Sequence, residues 1–203
     1  MALITTSEAK QQIPALTGTA EDALLTELIA VASRVIAEYC GYPMATATAQ
    51  PTMESRSYTM YLDGPGERDL VLPVRPVTAV ASIYDSVDRR YGADQLVAST
   101  DYAITEGQSG LVELNWNAAH GVWSTGYRSI KVTYTAGFVT IPEALHQAAR
   151  MTVRALYDSR QTQGKTSQSV GGVSIGMVTP SAIPVEVREI LAPYRLPRAL
   201  VPV

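Results

Sequence analysis

Residues 132–160 read VTYTAGFVTIPEALHQAARMTVRALYDSR, and this stretch decides the fold because a strand pattern is followed directly by a helix pattern. Apolar and polar side chains alternate between Ile130 and Thr135, which predicts a β-strand with one buried and one solvated face. Gly137 then ends the strand, because glycine is the usual residue at a sharp change of chain direction. The sequence therefore predicts a strand, a turn and a helix in this order.

The helix that follows is predicted to begin near Pro142, which suits a first helical turn, and Thr140 stands three residues before Glu143, the spacing of a capping box. One apolar stripe of this helix contains Leu145, Ala149, Thr152 and Leu156, with Ala148, Met151 and Ala155 beside it; a second stripe contains His146, Arg150, Val153, Tyr157 and Arg160. An apolar band of this width predicts packing against other helices.

Composition describes a globular protein of 203 residues, with 46% hydrophobic and 17% charged residues. The net charge of −3 and a pI near 5.4 argue against holding nucleic acid by bulk charge. Cys40 is the single cysteine, which excludes an internal disulfide framework. The N-terminus lacks the pattern of a signal peptide, and no apolar run approaches the ~20 residues that span a bilayer. We expect a soluble protein with no membrane partner, made in a reducing cytoplasm.

The pattern along the chain predicts an α+β fold, namely a small antiparallel helical bundle with an inserted antiparallel β-lobe and a long flexible C-terminal segment. Its predicted parts are N-terminal helices of the core bundle (1–43), the β-lobe (44–137), a long core helix (138–160), a flexible segment rich in Gly, Ser and Thr (161–180), and a short helix with a C-terminal tail (181–203). Strands are predicted at 54–62, 68–72, 77–84, 101–105, 110–115 and 129–136.

Two helices are predicted within the N-terminal part. The first begins at a capping box formed by Thr5 and Glu8. The second covers about 19–39, and Gly41 ends it as a left-handed cap. Two neighbouring apolar stripes run along this second helix: Leu24, Leu28, Val31, Val35 and Tyr39 form one, and Leu25, Ile29, Ala32 and Ile36 form the other. The sequence therefore predicts that the second helix is buried along much of its girth.

Motifs that would indicate catalysis or a cofactor are weak throughout. Gly164-Lys165-Thr166 resembles the end of a phosphate-binding loop, but Ser159 stands where that motif needs its first glycine. Asp85, Asp88 and Asp94 surround Arg89-Arg90 without the spacing of a calcium loop, which predicts a solvated tip of mixed charge. Two histidines and one cysteine make no zinc pattern. We therefore predict no catalytic, cofactor-binding or metal-binding residues.

A resemblance to a known family covers most of the chain. The VTYTAGF…P…L…A…LYDSR run resembles the head-tail connector (adaptor) proteins of tailed bacteriophages, in particular longer members with an inserted β-domain. The same order of elements continues in Arg75-Pro76-Val77, Val80-to-Tyr84, Asp101-Tyr102-Ala103-Ile104, Gly110-Leu111, Trp123 and the closing Ile190-Leu191-Ala192-Pro193-Tyr194-Arg195. The order and spacing of these motifs are more specific than any one of them.

The resemblance implies a non-enzymatic virion structural protein at the head-tail junction. Such subunits form a homo-oligomeric ring, usually of twelve copies, that docks on the portal protein and extends the DNA channel toward a downstream tail or stopper protein. DNA passes through the channel without sequence-specific binding. The resemblance implies a portal interface in the C-terminal region, which we place at Tyr194, Arg195, Leu196, Arg198 and Leu200. For inter-subunit contacts we predict Arg150, Arg154, Tyr157, Val170, Val173 and Ile175.

An alternative hypothesis from another class remains open. Trp116, His120 and Trp123 lie close together in sequence and predict, under this hypothesis, a carbohydrate- or peptide-binding β-module that acts as a monomer. The simpler interpretation of the same segment is a loop whose tryptophans cover the edge of the β-lobe. A hydrolase is a third hypothesis, but it needs a nucleophile with a converging base, for which no signature is present.

Overall fold

The structure, a computed structural model, describes residues 2–13, 16, 18–44, 49–160, 167–170, 173–176 and 183–197. The chain divides into two compact units. The first unit comprises Met1–Cys40 with Ile141–Arg195, and the second comprises Gly41–Thr140 with Leu196–Val203. The first unit contains the helices and a two-stranded hairpin, and two antiparallel sheets lie in the second. The α+β class predicted from the sequence is confirmed.

The described part of the helical unit contains four helices: α1 (Thr6–Gln12), α2 (Asp22–Tyr39), α3 (Glu143–Ser159) and α4 (Val185–Leu191). The predicted capping box starts α1, because the Glu8 backbone N–H donates to Thr5 Oγ1 at 3.3 Å and the Thr5 N–H donates to Glu8 Oε2 at 2.7 Å. Gly41 follows α2 at φ 84°, the left-handed conformation predicted for it.

The start of α3 differs from the prediction, because Thr140 forms no capping box. Pro142 is the N-terminal cap, and no side chain caps the helix. The Pro142 carbonyl instead accepts hydrogen bonds from the N–H groups of Leu145 at 2.9 Å and His146 at 3.3 Å. Pro142 has ψ of 144°, which is an extended conformation, so the first helical residue is Glu143. A cap at Thr140 would require the helix to begin at the next residue.

The core of the helical unit forms where α1, α2 and α4 pack on α3. Its fully buried side chains include Ala9, Leu25, Ile29, Ala32, Ile36, Leu145, Ala148, Ala149, Val153, Val187 and Leu191. Burial of apolar area contributes about 25 cal/mol per Å² to stability. Helices of seven residues such as α1 and α4 are too short to be stable alone, so this packing holds them in place.

The prediction that α2 is buried along much of its girth is wrong. The stripe with Leu25, Ile29, Ala32 and Ile36 is buried, as a face covered by α1 and α3 must be. The neighbouring stripe is only partly covered, and Val31 in its middle is 49% exposed. The two stripes are equally apolar in sequence, so the positions of α1 and α3 decide which one is buried.

Two antiparallel sheets make up the β-unit. Its strands are β1 (Arg56–Pro65), β2 (Asp69–Val71), β3 (Val77–Asp85), β4 (Leu96–Val97), β5 (Tyr102–Glu106), β6 (Leu111–Leu114) and β7 (Thr125–Ala136). One sheet has the order β1-β7-β3-β4 and the other β2-β6-β5. The six predicted strands are present, and the two-residue β4 is additional. Parallel pairing is limited in the described residues to a single bridge between Glu54 and Phe138.

The central strand β7 shows the alternation that the sequence predicts. Ile130, Val132 and Tyr134 are fully buried, while the residues between them are half-exposed. On the buried face the register places Tyr134 opposite Tyr58 of β1, and their ring centroids lie 6.2 Å apart. Cross-strand aromatic pairs of this kind stabilise a sheet and specify its register.

A hairpin lies within the segment 161–180, for which the sequence predicts flexibility without regular structure. Strand β8 (Ser167–Val170) pairs antiparallel with β9 (Val173–Gly176). The remainder of 161–180 lies outside the described residues. Gly171 and Gly172 stand between the two strands in the sequence. A glycine pair between two short alternating stretches is a recognised hairpin signal, which the prediction of a flexible segment did not include.

Candidate interaction surfaces

Two of the three predicted inter-subunit residues on α3 are occupied within their own unit. The Arg150 side chain is only 16% exposed, and its guanidinium pairs with the Glu143 carboxylate. Tyr157 is buried, and the Arg160 guanidinium lies 3.8 Å from its ring centroid. Arg160 in turn lies 3.6 Å from the Glu21 carboxylate. Arg150 and Tyr157 therefore present little surface to another molecule.

Arg154 is the exposed member of the three. Its side chain is 58% exposed and pairs with Asp158, one turn further along α3, at 3.6 Å. A pair of this kind on a helix surface contributes only about 0.3–0.5 kcal/mol, so it exchanges easily for a contact with a partner. Of the α3 residues predicted at a subunit interface, Arg154 has the accessibility that the role needs.

The C-terminal residues that the structure describes lie beside the end of α2. The Arg195 guanidinium lies 5.1 Å from the ring centroid of Tyr39, and Tyr194 is partly exposed. In the β-unit, Leu196 lies against Gly41, where an added Cβ would meet the Leu196 Cβ at 3.6 Å. Arg198 and Leu200, the other two predicted portal-contacting residues, lie outside the described residues.

The hairpin of β8 and β9 carries the remaining predicted inter-subunit residues. Val170 is paired with Val173, and Ile175 is paired with Gln168. Their place at a subunit interface stays a prediction.

The two tryptophans of the alternative hypothesis lie in different environments. Trp123 is buried, with 1% of its surface exposed, and its indole N–H donates to the Arg68 carbonyl at 2.9 Å. Trp116 is 86% exposed, and the Arg68 guanidinium lies 4.1 Å from its ring centroid. His120 is exposed. A stacking platform needs two accessible aromatic faces, and Trp123 does not offer one, so the structure argues against a platform built on this pair.

A cluster of aromatic and basic side chains on the four-stranded sheet was not predicted. Tyr61, Lys131 and Tyr84 stand in register on β1, β7 and β3. The Lys131 ammonium lies 5.3 Å from the Tyr84 ring centroid, and the Arg128 guanidinium lies 5.1 Å from that of Tyr61. The rings of Tyr61 and Tyr91 are 5.2 Å apart. We call these five residues the aromatic–basic cluster; cation–π contacts hold its cations in fixed positions.

The backbone is unusual in the loop after β3 and at one residue of β7. Arg89, Tyr91 and Arg128 have φ of 60°, 52° and 51°, a region that non-glycine residues seldom adopt. Hydrogen bonds hold it: the Tyr91 hydroxyl donates to the Arg128 carbonyl at 2.5 Å, and the Arg128 N–H donates to Asp63 at 2.8 Å. The tip predicted from sequence to be merely solvated is therefore an ordered structure.

Asp88 organises the same tip through its carboxylate. It accepts hydrogen bonds from the Gln95 amide at 2.6 Å and the Ser86 hydroxyl at 3.0 Å, and it pairs with Arg90. The Gln95 bond and then the Arg90 bond lower the pKa of the Asp88 carboxyl well below its usual range. The Asp88 carboxylate is thus used in hydrogen bonds within residues 86–95.

The described ranges contain no candidate metal-binding group, and their one cysteine is buried. No group of three His, Cys, Asp or Glu side chains there is arranged to hold a metal ion. Cys40 is fully buried, and burial raises the pKa of its thiol to about 12, so the reactive thiolate is scarce at neutral pH. None of the described helices is long and apolar enough to cross a membrane.

Comparison with known proteins supplies the family. No curated protein matches the chain. The family profile described as head completion protein matches residues 2–196, which includes nearly all of both units. This match agrees with the resemblance to phage head-tail connectors seen in the sequence motifs. The chain therefore belongs to the head completion protein family, a phage head-tail connector family of virion structural proteins.

Proposed function

We propose that this protein is the adaptor subunit of a head-tail connector, which forms a ring of twelve copies on the portal and extends the DNA channel toward the tail. The observation that carries the proposal is the family match over residues 2–196. Its partners are further copies of itself, the portal protein and a downstream tail or stopper protein. We further propose that the chain is made in the host cytoplasm before it joins the virion.

Ring closure requires two different surfaces on each subunit, since a heterologous contact joins one face of a copy to another face of the next. The exposed Arg154 on α3 and the segment with Val170, Val173 and Ile175 are the two surfaces that we assign to this contact. An exposed arginine that pairs with a neighbour on its own helix can transfer to a carboxylate of another copy. These features support self-assembly through the helical unit.

Portal docking is assigned to the C-terminal region. Tyr194, Arg195 and Leu196 lead to Arg198 and Leu200, and the final eight residues, LPRALVPV, are apolar and interrupted by proline. Proline prevents such a segment from continuing a helix, whereas an extended apolar segment suits a groove or sheet edge on a partner. We therefore propose that residues 194–200 contact the portal.

The proposed role involves no catalytic step and no cofactor. A conduit has to let DNA slide, and a net charge of −3 disfavours tight contact with phosphates. The protonated and buried state of Cys40 is consistent with a packing role for that residue. DNA is accordingly expected to pass through the ring without sequence-specific binding.

Assembly is the property that tests this function. Size-exclusion chromatography with light scattering and electron microscopy, each with and without portal, should show rings of this protein or rings that form on the portal. A protein that stays monomeric, ignores the portal and binds glycans would reject the adaptor and favour the carbohydrate-binding module.

The C-terminal assignment has its own test. A chain ending at Pro197 keeps Leu196 against Gly41 and lacks only residues 198–203, so its fold should be unchanged by circular dichroism. We expect it to lose co-sedimentation with portal. A matched control is Val87→Ser, a change at an exposed position of the β-unit, which should dock normally. Unaltered docking of the truncated chain would show that Arg198 and Leu200 do not make the portal contact.

A further inference from the structure

The two sheets of the β-unit expose faces of opposite charge. On the four-stranded sheet, the register places Lys131 of β7 between Tyr61 of β1 and Tyr84 of β3, on the face that strand alternation leaves outside the core. Lys131 and Arg128 are both partly exposed, and neither forms an ion pair with a carboxylate of the described residues. The aromatic–basic cluster therefore presents two cations without a counter-ion in the described part of their own subunit.

The carboxylates beside this cluster have other partners. Asp63 accepts a hydrogen bond from the Arg128 backbone N–H at 2.8 Å, and Asp88 pairs with Arg90. These contacts hold both carboxylates in place. The two cations of the cluster are held as well, because each lies over a tyrosine ring. A surface whose charged groups are fixed before binding loses less conformational entropy when a partner arrives.

The three-stranded sheet exposes carboxylates instead. Asp69 of β2 stands directly opposite Glu113 of β6, while the residues that alternate with them, Leu70 and Val112, are buried. Like charges in directly opposite positions destabilise a sheet. The Arg68 Nε lies 3.9 Å from Glu113 Oε1, whereas Asp69 has no ion pair among the described residues. A cation from another molecule would stabilise this pair of carboxylates.

Trp116 borders the same carboxylates. The Arg68 guanidinium lies 4.1 Å from the Trp116 ring centroid and donates to the Leu114 carbonyl, and Trp116 is still 86% exposed. We call Asp69, Glu113 and Trp116 the acidic patch. Tryptophan, tyrosine and arginine are the residues that most often dominate the binding energy of protein interfaces. The acidic patch and the aromatic–basic cluster each contain such residues.

We propose that the aromatic–basic cluster of one copy contacts the acidic patch of the neighbouring copy, with Lys131 against Asp69 and Arg128 against Glu113. This inference rests on the proposed ring and adds a contact through the β-unit to the one assigned to Arg154. The two surfaces lie on different sheets and differ in charge, so the contact is heterologous and repeats from copy to copy around a ring. Complementary charge also sets the register of such a contact and rejects wrong partners.

Duplex DNA is the other class of partner that two cations suit, and the observations favour a protein. Asp63 and Asp88 stand beside the cluster, and the chain carries a net charge of −3. Both repel phosphates. The acidic patch offers the opposite charge on the same chain, so further copies of the protein supply a matching surface at every position of a ring.

Carbodiimide cross-linking of the unmodified chain tests the contact. The reagent joins a lysine amine to a carboxylate paired with it, and the chain has three lysines, at positions 10, 131 and 165. Rings are assembled on portal from equal parts of isotope-labelled and unlabelled protein. Lys131 should then be joined to Asp69 in peptides of mixed isotope. Lys10 is the internal control, because it pairs with Asp22 of its own copy and should give peptides of one isotope.

Charge reversal gives a second measurement. Lys131→Glu and Asp69→Lys should each lower the fraction of protein in portal-bound rings by about tenfold or more, because like charges across an interface are strongly unfavourable. Asp69→Lys places a cation opposite Glu113, so its fold should be unchanged by circular dichroism. Mixed in equal parts, the two variants should form rings again, since every contact in an alternating ring joins opposite charges. Glu27→Lys, at an exposed position of α2, is the matched control and should assemble normally.

The outcomes separate this contact from the adaptor function. A mixed-isotope link from Lys131 to Asp69 and recovery of rings in the mixture support the contact. Rings without that link, or folded single variants that assemble normally or fail to recover when mixed, overturn the contact and leave the adaptor function standing. Normal rings of Lys131→Glu that have lost a gel shift of duplex DNA would assign the cluster to DNA and also overturn it. If Lys131→Glu does not fold, the cross-link in the unmodified chain decides. Absence of any oligomer with portal overturns both proposals.

Discussion

Replacing Gly137 with alanine should destabilise the β-unit, because this glycine lies where two chain segments touch. Its φ is 109°, and an added Cβ would lie 2.5 Å from the Glu54 carbonyl oxygen and 2.9 Å from that of Met53. The same segments are joined by hydrogen bonds from the Phe138 N–H to Met53 at 2.8 Å and from the Ser55 N–H to Phe138 at 3.0 Å. The obstructing atoms are backbone, so the bridge itself has to move.

The expected cost follows from two contributions. Holding a residue with a side chain in a left-handed conformation costs roughly 1–2 kcal/mol. Weakening the two bridge hydrogen bonds adds about 0.5–1.5 kcal/mol for each. The Gly137→Ala variant should therefore lose about 2–5 kcal/mol of unfolding free energy, a large part of the roughly 5–15 kcal/mol that a domain possesses.

Urea unfolding followed by tryptophan fluorescence measures this loss. Trp123 is buried in the β-unit, and a Trp116→Phe background makes it the single tryptophan, since the chain has two. With a urea slope of about 2 kcal/mol per M, in the middle of the usual range, the midpoint should fall by roughly 1–2.5 M. The matched control is Gly121→Ala, where an added Cβ meets nothing within 4 Å. If both variants lose less than about 0.5 kcal/mol, the reasoning about this bridge is refuted.

Three further predictions concern the helical unit. Leu191→Ala removes a fully buried side chain of α4 and should lower the free energy of unfolding by about 2–5 kcal/mol. Val185→Ala, at a position 64% exposed, should lower it by under about 0.5 kcal/mol. Equal losses of unfolding free energy in circular dichroism titrations would contradict the packing of α4. Burial raises the pKa of Cys40 from 9.0 to about 12, so the thiol ionises at lower pH in the unfolded chain than in the folded one. The free energy of unfolding should therefore fall above pH 9 by at most about 1.4 kcal/mol per pH unit. Cys40→Ala should reduce this slope, and an identical pH profile for the variant would contradict the assignment to Cys40. Thr5→Ala removes the cap of α1 and should cost about 1 kcal/mol, seen as faster hydrogen exchange in Thr6–Gln12; unchanged exchange would show that packing alone holds the helix.

The sequence predicts a structural feature correctly where its local pattern is compatible with only one structure. The alternation around Val132 allows a single buried face, and Tyr134 follows it. The capping box of Thr5 and Glu8 is formed by residues three apart, so its geometry is decided within one helical turn. The order of the strands along the chain follows from turn residues between alternating stretches. These features need no knowledge of distant contacts.

The errors arose where the sequence offered two equivalent solutions. The two apolar stripes of α2 differ by one residue in position and hardly in hydrophobicity, and only the placement of α1 and α3 selects the buried one. Thr140 has the spacing of a cap, but the extended Pro142 moves the start of the helix to Glu143. For residues 161–180 the low apolar content predicts flexibility, whereas the pair Gly171-Gly172 is a hairpin signal. The structure has the hairpin of β8 and β9.

The candidate surfaces show the same division. The sequence places three predicted interface residues close together on one helix, but their exposure differs. Glu143 pairs with Arg150 and Arg160 covers Tyr157, whereas Arg154 stays exposed. The aromatic–basic cluster combines residues from three strands and a loop, and no spacing in the sequence brings Tyr61 and Tyr91 together. Side chains that meet through strand pairing are found only when the register is known.

The amino-acid sequence by itself determined the type and order of the elements, the α+β class and the resemblance to head-tail connectors, because periodicity, turn residues and motif order are local properties of the chain. The tertiary structure decided which apolar stripe of α2 stays open, that Trp123 is buried while Trp116 is exposed, and which charged side chains are already paired. Those properties depend on which side chains are packed against segments that are distant in the sequence, and a local pattern does not specify that packing.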